Sequence, residues 1–226
     1  MPVDSPSFAV IFDLDGVIVD SSRFHEESWD ILATETGWTL PEGFFKKTFG
    51  MRNMNIIPLY LEPGAEESRV AALSRRKEEI FRELARGKIT LLPGVKKLAE
   101  SLARDNIPMA VGSSTELENI RLVLDSTQIA PCFRAIVSSE DVTQGKPAPD
   151  CFLMAAGKLM CTPANCVVIE DAQVGIDAAR AAGMACLALA TTHPGHTLSR
   201  YSRLAPNLEE ITPEDLRELV IQKPLS

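Results

Sequence analysis

The sequence has little of what marks a secreted, membrane-bound or nucleic-acid-binding protein. Its five cysteines, at 132, 151, 161, 166 and 186, are odd in number and form no Cys-x-x-Cys pair, which argues against a disulfide framework and a zinc site. Cys166 and Cys186 open apolar runs, where a free thiol serves as a small hydrophobe, and all five are read as structural. No uncharged run is long enough to span a membrane. The opening residues, MPVDSPS, have neither the basic nor the apolar region of a signal peptide, so a cytoplasmic location is expected. Basic residues are also short, with 23 Lys and Arg against 31 Asp and Glu for a net charge of −8. A nucleic-acid backbone is therefore a poor partner, whereas a small anion answers to local charge. Of only three histidines, His193 and His196 fall in a polar loop and receive no role.

What is present is ordinary for a soluble protein with a core: 45% hydrophobic and 24% charged residues in a chain of 226. Short β-rich runs, FAVIF (8–12), IPMAVGSS (107–114), RAIVSS (134–139), CVVIE (166–170) and ACLALA (185–190), alternate with helical spacings at 95–104, 116–125, 150–159 and 175–182. That alternation predicts an α/β fold, a parallel sheet covered on both faces. Gly183 is placed to close a helix, and Thr212-Pro213 to open the last one. Residues 22–87 break the rhythm, with helical patterns at 25–36 and 65–85 and no strand between them. An inserted helical domain follows, with hinges at 19–22 and at Gly87 through Pro93-Gly94. The predicted division is 1–21 and 88–226 for the α/β core and 22–87 for the insert.

Ligands of open α/β sheets sit beyond the carboxyl ends of the strands, so the residues there carry the functional reading. The first run ends in Asp13 and Asp15, two carboxylates on one side of a strand, then Gly16. The second ends in Gly112-Ser113-Ser114-Thr115, the third is followed by Gly145-Lys146-Pro147, and the fourth ends in Glu170-Asp171. Each has a bland alternative: turn acids, an N-cap serine, a solvated loop lysine. Together, at every strand end but the last, they fit phosphoryl transfer. A carboxylate nucleophile needs a hard divalent cation to approach a phosphate dianion. A hydroxyl and an ammonium then hold the phosphate oxygens, and a second acid protonates the leaving alkoxide.

In the order DLDGVIVDS, VGSS, GKPAPD and IEDAQVGI, the chain resembles the haloacid dehalogenase superfamily of aspartate-nucleophile phosphohydrolases. It is most similar to the branch of β-phosphoglucomutase and small sugar-phosphate phosphatases. The resemblance implies a Rossmann-like parallel sheet with an all-helical cap. It implies Asp13 as nucleophile, Asp15 as general acid and then base, and Ser113 and Lys146 as phosphate ligands. Mg²⁺ would be held by Asp13, by the backbone carbonyl of Asp15 and by Asp171, with Glu170 supporting Lys146 or a metal-bound water. The substrate would be a small phosphorylated metabolite, and a monomer is expected.

On the cap, Lys77 is a cation on the stripe Val70, Leu73, Ile80 and Leu84. It would either snorkel to water or face the cleft, and the resemblance favours the cleft. His25, in a D-S-x3-H spacing, resembles the histidine that meets the catalytic groups as the cap closes. Arg52, in Gly50-Met51-Arg52-Asn53, resembles a substrate-specificity residue, and Ser114 and Thr115 join these as substrate-binding candidates. One departure bears on function: Thr115-Glu116-Leu117 stands where mutases of this branch carry lysine and asparagine beside a distal phosphate. An acid there favours a phosphatase acting on a monophosphate over a phosphosugar mutase. A catalytically silent binding protein is disfavoured, because no catalytic position is substituted.

Overall fold

The structure is a computed structural model that describes residues 7–221. Most of the opening segment on which the leader reading rests therefore lies outside the described residues. Six parallel strands form one sheet in the order β3-β2-β1-β4-β5-β6. They are β1 (Ala9–Phe12), β2 (Met109–Gly112), β3 (Ala135–Val137), β4 (Cys166–Glu170), β5 (Ala185–Leu189) and β6 (Arg203–Ala205).

Successive side chains of a strand point to opposite faces, and here the alternation feeds two separate cores. Val10, Phe12, Met109, Val111, Val167, Ile169, Leu187 and Leu189 pack beneath α5 (Val95–Arg104), α6 (Leu117–Ser126) and α9 (Pro213–Ile221). Ala9, Ile11, Ala110, Cys166, Val168, Cys186 and Ala188 pack beneath α7 (Asp150–Lys158) and α8 (Gln173–Ala181). Apolar residues on both faces are why these strands read as continuous hydrophobic runs. The five cysteines are unpaired, and all but Cys132 are buried.

The insert is helical throughout, as its lack of strand patterns predicts. It contains α1 (Ser22–Thr36), α2 (Phe44–Thr48), α3 (Asn53–Ile56) with a π-helical turn at Ile57–Leu61, and α4 (Glu67–Ala85). Trp29 and Leu32 of α1 meet Val70, Leu73 and Ile80 of α4 around Phe44 and Ile57, a core separate from those flanking the sheet. The chain leaves the sheet region through Ile18–Val19 and returns beside itself. Val19 bridges Leu91 in antiparallel fashion, and Leu92 N–H donates to the Ile18 carbonyl at 2.9 Å.

No run in the sequence predicts β6. That strand is three residues long, its Leu204 is exposed, and it has no apolar run to announce it. The C-terminal helix is capped as expected. Thr212 Oγ1 accepts from Asp215 N–H at 3.2 Å, and Thr212 N–H donates back to the Asp215 carboxylate at 2.8 Å, a reciprocal box.

Candidate active site

Chain order runs outward from β1 through β2 to β3, then jumps back to β4 on the other side of β1. The crevice at such a switch point lies beyond the carboxyl ends of β1 and β4, where Asp13, Asp15, Glu170 and Asp171 emerge. Asp13 N–H donates to Ile169 O at 3.0 Å, so the ladder continues up to the first acid.

Asp13 is buried, and Lys146 Nζ lies 2.6 Å from its Oδ1. The same ammonium reaches Glu170 Oε1 at 2.6 Å. Glu170 Oε2 accepts the N–H groups of Asp171 and Ala172, both at 2.7 Å. Both Glu170 oxygens are thus engaged by Lys146 and the backbone. Burial pushes the Asp13 carboxyl up to about 8, with Glu170 and Asp15 adding to the rise against the pull of Lys146. Burial and the neighbouring acids Glu170 and Asp13 likewise raise Asp171 well above the carboxylate range. Lys146, although burial opposes its charge, is held above its ordinary value by Asp13 and Glu170. Three acids around one lysine leave this nook short of positive charge.

Asp15 has different surroundings. Its Oδ1 accepts from Ser21 Oγ at 2.5 Å and lies 3.3 Å from His25 Nε2, and its Oδ2 accepts from Thr115 Oγ1 at 2.6 Å. Burial alone would raise this carboxyl, but His25, Ser21 and Thr115 outweigh it and hold it well below its ordinary value. Two acids two residues apart therefore have opposed environments. Gly16, with φ +80°, makes the turn between them and the rest of the site. A Cβ there would fall 1.9 Å from Asp171 Oδ2 and 2.5 Å from Thr192 Oγ1, which only glycine avoids.

Behind Asp15 runs a buried polar chain. His25 Nδ1 lies 2.5 Å from Lys77 Nζ, and Lys77 reaches Glu78 Oε1 at 3.0 Å. Glu78 also accepts from Asn53 at 2.6 Å and from Asn119 of α6 at 2.5 Å. Lys77, 1% exposed, does not snorkel: it meets a histidine and a carboxylate. His25 also stacks on Phe81 with ring centroids 4.1 Å apart.

Ser113 is buried, and its Oγ accepts the Thr115 N–H at 3.1 Å, a local turn rather than a cap of α6, which begins after Glu116. Arg52 crosses from the insert to the core. Its two terminal nitrogens donate to the carbonyls of Ser139 (2.5 Å), Thr143 (3.1 Å) and Val142 (3.3 Å), while its buried Nε has no partner. All eleven candidate residues, Ser114 included, line one cavity between sheet edge and insert.

A metal fits this arrangement on the chemistry of its donors. Asp171 Oδ2 is buried without a hydrogen-bond partner, which a hard cation taking oxygen ligands would satisfy. Among the described residues no three His, Cys, Asp or Glu side chains converge as a metal site. The expected set asks for only two side chains, Asp13 and Asp171, with a backbone carbonyl.

The profile of haloacid dehalogenase-like hydrolases matches residues 10–189. The chain belongs to the haloacid dehalogenase-like hydrolase family. It is 34% identical over 92% of its length to a chloroplastic 5-amino-6-(5-phospho-D-ribitylamino)uracil phosphatase of Arabidopsis thaliana, of which it spans 57%. It is also 34% identical to the β-phosphoglucomutase of Bacillus subtilis (strain 168), over 82% of this chain and 84% of that one. A crystal structure of β-phosphoglucomutase from Clostridium difficile superposes with a TM-score of 0.85 at 27% identity, covering 95% of this chain and 97% of that chain. The family's α/β fold with a helical cap is the fold observed, and the chain is an enzyme of this hydrolase family. No helix among the described residues is long and apolar enough to cross a membrane.

Several site residues escape the sequence reading. The fifth strand also delivers polar groups: Thr191 Oγ1 donates to the Gly16 carbonyl at 2.5 Å, and Thr192 stands against Gly16. Its Thr-Thr dipeptide after ACLALA was the available signal. Asn53, Asn119 and Glu78 had none, since their value lies in meeting one another. His193 and Phe49 of the insert meet in a T-shaped arrangement, centroids 6.5 Å apart.

Proposed function

We propose that the chain is a Mg²⁺-dependent phosphatase of a small phosphate monoester, working through an aspartyl phosphate on Asp13. The division proposed with it is 1–21 and 88–226 as catalytic core and 22–87 as cap. The observation that carries the reading is the nook at the switch point: a buried nucleophile candidate bonded to Lys146, beside an acid with a buried oxygen left unsatisfied. Mg²⁺ held by Asp13, the Asp15 carbonyl and Asp171 would neutralise repulsion between carboxylate and phosphate.

The residues then divide the work. Asp13 attacks phosphorus, while Lys146 and Ser113 hold the phosphoryl oxygens as charge develops. Asp15, gripped by cap residue His25, hinge residue Ser21 and core residue Thr115, rests ionised, so it takes up a proton brought in on the phosphate monoester, passes it to the leaving alkoxide and then takes one from the attacking water. Because one of its three partners arrives with the cap, closure and proton transfer are linked through His25 and Lys77.

Hydrolysis is favoured over phosphosugar mutation by what the cap offers a second phosphate. Arg52 is already bonded to three carbonyls and Lys77 to His25 and Glu78, while Glu116 lines the same cavity. The expected substrate is a sugar or polyol monophosphate. A phosphate-ester screen with Mg²⁺ tests the reading: Asp13→Asn should abolish inorganic phosphate release without changing the melting profile. Turnover within a few-fold of wild type would reject the nucleophile. With β-glucose 1-phosphate and a trace of glucose 1,6-bisphosphate, free phosphate should outpace glucose 6-phosphate; the reverse would establish the mutase.

A further inference from the structure

The charged groups lining the cavity are almost all spoken for within the chain. Lys146 is bonded to Asp13 and Glu170, Lys77 to His25 and Glu78, and Arg52 to three carbonyls. Asp15 and Glu78 each accept from three donors. Outside the nook at the switch point, Glu116 is the exception. Among the described residues no hydrogen bond reaches its carboxylate, and its nearest cation, Arg82, stops at 3.8 Å. Arg82 gives its closer contacts to Asn119 at 2.9 Å and Glu118 at 3.3 Å. Phe45, Phe49, Met51 and Met54, also on the wall, bring no charge.

Resting on the phosphatase reading above, we infer that Glu116 is the specificity-determining residue of the cavity, receiving an amine or other N–H donor on the leaving group and turning away leaving groups that carry an acid. A carboxylate poised in a binding site with no hydrogen-bond donor, and only a 3.8 Å ion pair to Arg82, selects for the ligand that supplies a donor, because the alternative leaves its hydrogen-bonding capacity unmet on binding. A like charge brought beside it is penalised further. Burial and the neighbouring acids Glu78 and Glu140 raise the Glu116 carboxyl to about 7 against the pull of Arg82, the condition that an incoming cation relieves.

Three esters of one size and one ester position separate the possibilities: glucosamine 6-phosphate, glucose 6-phosphate and 6-phosphogluconate. The wild-type enzyme with Mg²⁺ should show kcat/KM falling in that order, with about tenfold or more between amine and acid. Glu116→Gln should collapse the spread and Glu116→Lys should invert it, while the melting profile stays cooperative. Calorimetric binding of the three esters to Asp13→Asn should follow the same order, separating selection from turnover. An unchanged spread in Glu116→Gln would overturn the assignment while leaving the phosphatase standing. Failure of the wild-type enzyme to release phosphate from any ester would remove the phosphatase and this inference with it.

Discussion

At the scale of single residues, the site works by giving identical side chains unlike surroundings. Asp13 has one lysine shared with Glu170, whereas Asp15 has two hydroxyls and a histidine. Glu116 is a third case, and its effect on stability has a definite sign. Its carboxyl moves from an ordinary 4.5 to about 7 on folding, so the folded state binds the proton more tightly. Stability from this group falls as pH rises through that window, and the loss is complete above it. Glu116→Gln, which mimics the neutral form, should therefore melt higher than wild type at pH 8 and level with it at pH 4.5. Discounted for partial solvation, roughly 1 kcal/mol is at stake, or about 2–4 °C in a chain this size. Equal melting temperatures at pH 8 would show that Arg82 already neutralises the acid. The strand-end acids, Ser113 and Lys146 were legible in the sequence because the sheet alone decides where they sit. Ser21, Asn53 and Asn119 were not, and Thr115 was legible as a binding candidate but not as a partner of Asp15, because a hydroxyl or amide shows its use only when its partner arrives from elsewhere in the chain.

At the scale of elements, α4 is the most consequential. Its apolar stripe was visible as i, i+3, i+4 spacing, and Lys77 was visible as an intruder on it. Hidden was the reason the intrusion is tolerated: Glu78 next to it and His25 of α1 satisfy the ammonium in the interior. Removing one member of such a buried pair costs about 3 kcal/mol or more, because the other is left charged and dry. Lys77→Met should therefore lower stability by that order and cut kcat/KM. The double variant Lys77→Met with Glu78→Gln should regain most of the stability and none of the activity. Chemical denaturation and steady-state kinetics on the two proteins decide it, and recovery of both together would reduce Lys77 to a packing residue. The elements that escaped notice, β6 and the short helices α2 and α3, share one physical trait. Each is five residues or fewer, too short to establish a period, and each exists because longer neighbours hold it.

At the scale of the whole molecule, core and cap meet through a set of polar contacts, three of which Arg52 makes. The absence of a side chain at Gly145 is part of that contact, since a Cβ there would fall 2.5 Å from Arg52 Cδ. Arg52→Ala should loosen the seat of the cap on the core, raising KM and speeding proteolytic cleavage between Gly87 and Gly94. Cleavage at the wild-type rate would mean that Glu78–Asn119 and the rest of the interface suffice. Arg52 lines the cavity, where the family resemblance puts it; that its guanidinium also holds main-chain carbonyls is a contact no spacing pattern announces.

The pairing of Val19 with Leu91 has one more consequence. Because the outgoing and returning chains lie side by side, bonded at Leu92 N–H to Ile18 O, the 71 residues between Val19 and Leu91 form a closed excursion from an almost unbroken core. The core sheet meets that excursion as it would meet a hairpin turn. Insertions, deletions or wholesale replacement within it leave strand register untouched, so the wall that the excursion lends to the cavity can diverge on a different schedule from the strand ends and Glu116, which line it from the core.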